Sequence, residues 1–103
     1  IKKLIIDQTN TSQIDQFITN ENINTGSIDL IIDDGAHTDE AILISLKKLL
    51  QYVSKEGYYV IEDLDLKNTK RSIDYLNDKN SDFYKKNIDY DTQHYIAFIK
   101  PKQ

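Results

Sequence analysis

The residue order predicts an α/β fold, an α/β sandwich built on a mostly parallel sheet with an antiparallel hairpin at one edge. Three observations predict it. Short apolar runs rich in β-branched residues alternate with segments of helical period, in the order β-α-β-α-β-α-β-β. The run "SIDLIID" (27–33) is almost continuously apolar, as strands buried on both faces of a parallel sheet are. The last stretch, "FYKKNIDYDTQHYIAFIKPK" (83–102), holds two strand-like runs around "DYDTQ".

Each element has its own local reason. "KLIID" (3–7) is a short strand that ends in the polar loop Asp7-Gln8-Thr9-Asn10. Thr11 or Ser12 caps a helix carrying Ile14, Phe17 and Ile18 at i, i+3 and i+4. "TNENINTGS" (19–27) is a loop by composition. After the strand at 27–33, Gly35 supplies a turn, and Thr38 caps a helix with Asp39 and Glu40 in its first turn. Ile42, Leu43, Leu46, Leu49, Leu50 and Val53 form its apolar stripe. "SKEG" (54–57) is expected to close that helix, with Gly57 as the C-terminal signal. "YYVI" (58–61) is the third strand, and "LDLKNTKRSIDYLND" (64–78) is a loop and a weaker helix on Ile73 and Leu76. "HYIAFI" (94–99) is the better strand of the final pair, ended by Pro101.

Bulk properties exclude several classes. The 103 residues predict a single domain, with 39% hydrophobic and 29% charged residues. A net charge of −4 speaks against nucleic acid, which needs a concentrated basic face. No apolar run approaches the ~20 residues of a membrane span, and there is no signal peptide. Without cysteine there are no disulfides or thiolate metal sites, which fits a reducing compartment; a cytoplasmic location is expected. The chain contains no methionine and begins inside an apolar run, so it reads as a piece of a longer protein.

The chemistry lies where two strands run into acid. "LIIDDGAHTDEA" (30–41) places Asp33 and Asp34 at a strand end with His37 just beyond, and "YYVIEDL" (58–64) places Glu62 and Asp63 likewise. Asp34 and Glu62 are 28 residues apart, about one strand-helix-strand unit. Parallel neighbours lie ~4.8 Å apart, so both pairs converge at the carboxyl edge, where open α/β sheets bind ligands. Carboxylates at that range need a proton, a cationic side chain or a metal. No Lys or Arg lies within three residues of either pair. Oxygen donors favour a hard divalent cation, Mg²⁺, Mn²⁺ or Ca²⁺, and His37 is the candidate base near neutral pH. An Asp at a strand end is also a common turn or cap residue. His94, the seven tyrosines and Lys85-Lys86 read as structural or surface residues.

Residues 28–64, "IDLIIDDGAHTDEAILISLKKLLQYVSKEGYYVIEDL", resemble the fourth strand, helix and fifth strand of class I S-adenosylmethionine-dependent methyltransferases. Within them they are most similar to the metal-dependent sugar O-methyltransferases of the macrocin and mycinamicin type. Those carry an apolar strand, Asp-Asp-Gly-Ser-His, a helix, a Gly-Gly turn, then Tyr-Val-Ile-Glu-Asp-Leu. "LIIDQTN" (4–10) resembles the family's third strand.

The resemblance implies a three-layer Rossmann-like methyltransferase fold lacking its first two strands, with residues 1–103 as a single incomplete domain. It implies Asp34, Glu62 and Asp63 as magnesium ligands and His37 as the catalytic base. It implies Asp7 and Gln8 at the adenine end of S-adenosylmethionine and Asp33 near its methionine portion. The substrate is then a sugar or other hydroxylated small molecule, and the partner is the missing N-terminal half of the same domain. The family's sheet order, 3-2-1-4-5-7-6, would separate the strand at 3–7 from that at 28–33, unless the first strand slides into the vacant place beside it. This chain departs from the pattern at Ala36, at Tyr58 and at "DLKN" (65–68). Its glycines, Gly26, Gly35 and Gly57, make no Gly-rich cofactor loop, so tight cofactor binding by the chain alone is not expected.

Three other readings compete. A receiver domain also pairs acids at a strand end, and "IKP" (99–101) resembles its late Lys-Pro, but its phosphoacceptor Asp should lie roughly forty residues on. A phosphohydrolase on Asp63-x-Asp65 leaves Asp34 and His37 unexplained. A truncated, non-catalytic binding or structural module is the third.

Overall fold

The computed structural model of the protein describes residues 3–6, 11–34, 38–78, 83–89 and 94–101. In chain order these form β1 (Lys3–Ile6), α1 (Thr11–Asn20), β2 (Ile28–Asp33), α2 (Asp39–Leu49), a 3₁₀ turn (Leu50–Tyr52), β3 (Val53–Asp65), α3 (Lys70–Asp78), β4 (Phe83–Asp89) and β5 (His94–Ile99). The element order is the one expected from the sequence.

One sheet collects all five strands in the order β1-β2-β3-β5-β4. β1 and β3 flank β2 in parallel, and β5 lies antiparallel to both β3 and β4. The sheet is therefore mixed: its parallel half is joined by helical crossovers and its other half ends in the expected hairpin. β1 lies directly beside β2, with Ile5 opposite Ile32. Of the two arrangements open to it, the first strand takes the place against β2.

The register sorts side chains onto two faces. Ile31, Tyr59 and Ile99 form one row, and Asp33, Ile61 and Ala97 the next. These six are at most 3% exposed. All but Asp33 belong to one core cluster with Ile14 of α1, Ile42, Leu46 and Leu49 of α2, and Ile73 and Leu76 of α3. All three helices thus cover the same face. The physical reason is handedness: β1, β2 and β3 step across the sheet in one direction, so right-handed crossovers put α1 and α2 on one side.

The opposite face carries Leu30 and Tyr58 in one row and Ile5, Ile32, Val60 and Phe98 in another. Ile5 is 57% exposed and Tyr58 41%. The described residues therefore build two layers, where the resemblance implied three.

The end of α2 also differs from expectation. The helix stops at Leu49, the stripe's last residue, Val53, is already in β3, and "SKEG" is strand. Gly57 is no helix cap. It lies where β3 crosses β2 so closely that a Cβ would collide with the Asp29 carbonyl oxygen. Nearby, Ser54 Oγ donates to Asp29 Oδ1 at 3.0 Å. The pairing is irregular here, five steps of β3 (Val53 to Tyr58) running alongside two of β2 (Ile28 to Leu30).

Candidate functional site: a carboxylate pair at the sheet edge

Strand alternation separates the two aspartates that end β2. Asp33 turns under the helices and is 3% exposed, while Asp34, one residue on, is exposed. Tyr59 Oη donates to Asp33 Oδ2 at 3.5 Å. Burial, then the charge of Asp33 and its hydrogen bond, hold the Tyr59 phenol well above its usual pKa, so it stands there as a neutral donor.

The final β2–β3 pair is Asp33 with Ile61. One step further along both strands brings Asp34 toward Glu62, near enough for its charge to act on the Glu62 carboxyl. The Glu62 carboxyl is pushed above its ordinary pKa, first by burial, then by the charge and hydrogen bond of Asp34, and last by the charge of Asp63. Carboxylates this near repel when both are charged, and a proton or a cation on Glu62 relieves that.

Asp63 is held differently. Pairing of β3 with β5 slips between Ile61 and Leu64, where three steps of β3 match two of β5. Asp63 occupies this bulge at φ +57°, in the left-handed region that few non-glycine residues adopt. It is exposed and reaches Glu62 through its charge. Past the bulge, Leu64 and Asp65 return to the interior. Asp65 then accepts from the Asn68 backbone amide, and Thr69 Oγ1 bonds both the amide and the carbonyl of Asp65, which fixes the β3–α3 turn.

The base of α2 is fixed from the same side. Thr38 caps the helix, accepting from the Ala41 amide at 3.3 Å. Asp39 Oδ1 accepts from both the amide and the hydroxyl of Ser72, at 2.7 Å each, tying the first turn of α2 to α3. No local pattern marks this link, because its partners are 33 residues apart. Tyr59 beneath Asp33 was likewise read only as a core aromatic.

The structure thus brings Asp34 and Glu62 to neighbouring strand ends, sets Asp63 next to Glu62 and buries Asp33 on the other face. Among the described residues no group of three or more His, Asp or Glu stands close enough together to hold a metal ion. What the described donors offer a cation is a pair of hard oxygen carboxylates in need of a counter-charge. His37, Asp7 and Gln8 lie outside the described residues, as does the side chain of His94. No helix among the described residues is long and apolar enough to cross a membrane.

No protein-family model matches the chain, and no solved structure matches it. Among curated proteins, the demethylmacrocin O-methyltransferase of Streptomyces fradiae is 46% identical over 39 residues. That segment is 38% of this chain and 10% of the length of the Streptomyces protein. The similarity is local, confined to that segment.

Proposed function

We propose that this chain is part of an S-adenosylmethionine-dependent, divalent-metal-assisted O-methyltransferase of the cytoplasm, acting on a sugar or other hydroxylated small molecule. The observation that carries the reading is the Asp34–Glu62 carboxyl contact at the carboxyl edge of two adjacent parallel strands. Two further points support it. A 39-residue segment is similar to a protein whose name states O-methyl transfer. The strand order β2-β3-β5-β4 also corresponds to the family order 4-5-7-6, with the last strands antiparallel in both.

In this reading Asp34, Glu62 and Asp63 would hold the metal, Mg²⁺ or a similar hard cation. Such an ion would supply counter-charge to these carboxylates and make a substrate hydroxyl more acidic. His37 would take the proton from that substrate hydroxyl, whose oxygen would receive the methyl group as its bond to the sulfonium sulfur breaks and the neutral thioether leaves. Asp7 and Gln8 orient the adenine end of S-adenosylmethionine. Asp33 belongs to the wall beneath its methionine portion. The rest of the donor site comes from the N-terminal half of the same domain, the partner this reading requires.

The test is calorimetric titration of the chain with Mn²⁺. Saturable one-site binding, weakened at least about tenfold by D34N and by E62Q, is expected; a flat titration of the unsubstituted chain overturns the reading. S-adenosylmethionine is expected to bind weakly to this chain by itself.

The receiver reading loses its main support in the structure. Lys100 lies over the Tyr58 ring, 5.2 Å from its centroid. Tyr58 is four residues before Glu62 on β3, so Lys100 is engaged away from the acidic edge.

A further inference from the structure

The backbone ladder runs out just where the carboxylates must meet. Asp33–Ile61 is the last β2–β3 pair, and on the other side of β3 the pairing breaks between Ile61 and Leu64. Asp34 and Glu62 both lie beyond the last regular row. Their spacing therefore depends on what ties the ends of β2 and β3 together below them.

Asp33 and Tyr59 supply that tie. Asp33 is 3% exposed and Tyr59 fully buried. A buried carboxylate costs several kcal/mol unless donors meet it, and the phenol of the neighbouring strand is one such donor. The Tyr59 hydroxyl reaches Asp33 across the strand boundary at 3.5 Å. Asp33 directly precedes Asp34, and Tyr59 stands three residues before Glu62.

We propose that the Tyr59–Asp33 hydrogen bond is a positioning clamp that holds the carboxyl end of β2 against β3, so that Asp34 and Glu62 meet. Tyr59 acts through Asp33 and touches no ligand. The consequence for a bound cation rests on the proposed function; the clamp itself does not.

Two substitutions separate the clamp from ordinary packing. Y59F removes the hydroxyl and keeps the ring. D33N removes the charge and keeps an oxygen that accepts from the phenol. Amide hydrogen exchange on this chain is the readout. In Y59F, amides of residues 31–34 and 60–62 are expected to lose about tenfold in protection while those of residues 42–49 in α2 keep theirs. D33N is expected to retain both. Unchanged protection in Y59F, equal loss in α2 and the sheet edge, or the same local loss in D33N each overturns the clamp. Mn²⁺ titration of Y59F gives the consequence: affinity falls about tenfold. If exchange shows the local pattern but the unsubstituted chain binds no Mn²⁺, the cation reading fails and the clamp stands.

Discussion

A carboxyl group half-buried against a second carboxylate resists ionisation, and Glu62 is held in that position by Asp34. Its raised pKa has a definite sign in stability. The folded chain holds this proton more tightly than the unfolded chain, so the contribution is full at low pH and is lost as pH rises through the raised value. In metal-free buffer, E62Q is therefore expected to melt above the unsubstituted chain at pH 7. The difference should close below the ordinary Glu value of 4.5; thermal melts across this range measure it. Gly57 carries a second prediction at this scale. G57A forces a Cβ against the Asp29 carbonyl, which is backbone that cannot swing aside. A loss of about 2 kcal/mol or more is expected in urea unfolding. The carboxylate pair was legible because strand periodicity and spacing place it. Gly57 was misread because a glycine after a helical stripe looks the same whether it ends a helix or lets two strands cross.

At the scale of elements, α2 positions the edge on which the site stands. Its cap was legible, since Thr38 followed by Asp39 and Glu40 matches what helix termini require. T38A is expected to lose about 1 kcal/mol. Asp39 does more than favour the helix dipole. D39A leaves the Ser72 amide and hydroxyl without this acceptor, and a loss of about 1–3 kcal/mol is expected, read by urea denaturation. The helix end was not legible. Val53 continues the apolar stripe of α2 in sequence, yet it pairs with Ile28 in the sheet. Periodicity reports that a residue is buried, and burial is equally satisfied by strand and helix.

Over the whole molecule, the crossovers all fall on one side and leave an apolar sheet face without a helix among the described residues. Ile5 at 57% and Tyr58 at 41% exposure stand on it. The chain is expected to bind a hydrophobic dye such as ANS while keeping native near-ultraviolet dichroism. I5T with Y58T should lower the dye signal and shift stability by no more than about 0.5 kcal/mol per site. Persistence of the full dye signal in that double variant would locate the exposed surface elsewhere. The apolar continuity of 27–33 is consistent with this face being covered in a larger assembly.

The sequence by itself determined the order and type of the elements, the hairpin at the end, and the convergence of two acid-ended strands. These follow from local periodicity and from the fixed length of a strand-helix-strand unit. Only the tertiary structure decided which place β1 takes, that the helices share one face, and that Asp33 and Asp34 part to opposite sides, one under Tyr59 and one against Glu62. Those outcomes depend on crossover handedness and strand register, which are relations between distant segments and are written in no single stretch of the chain.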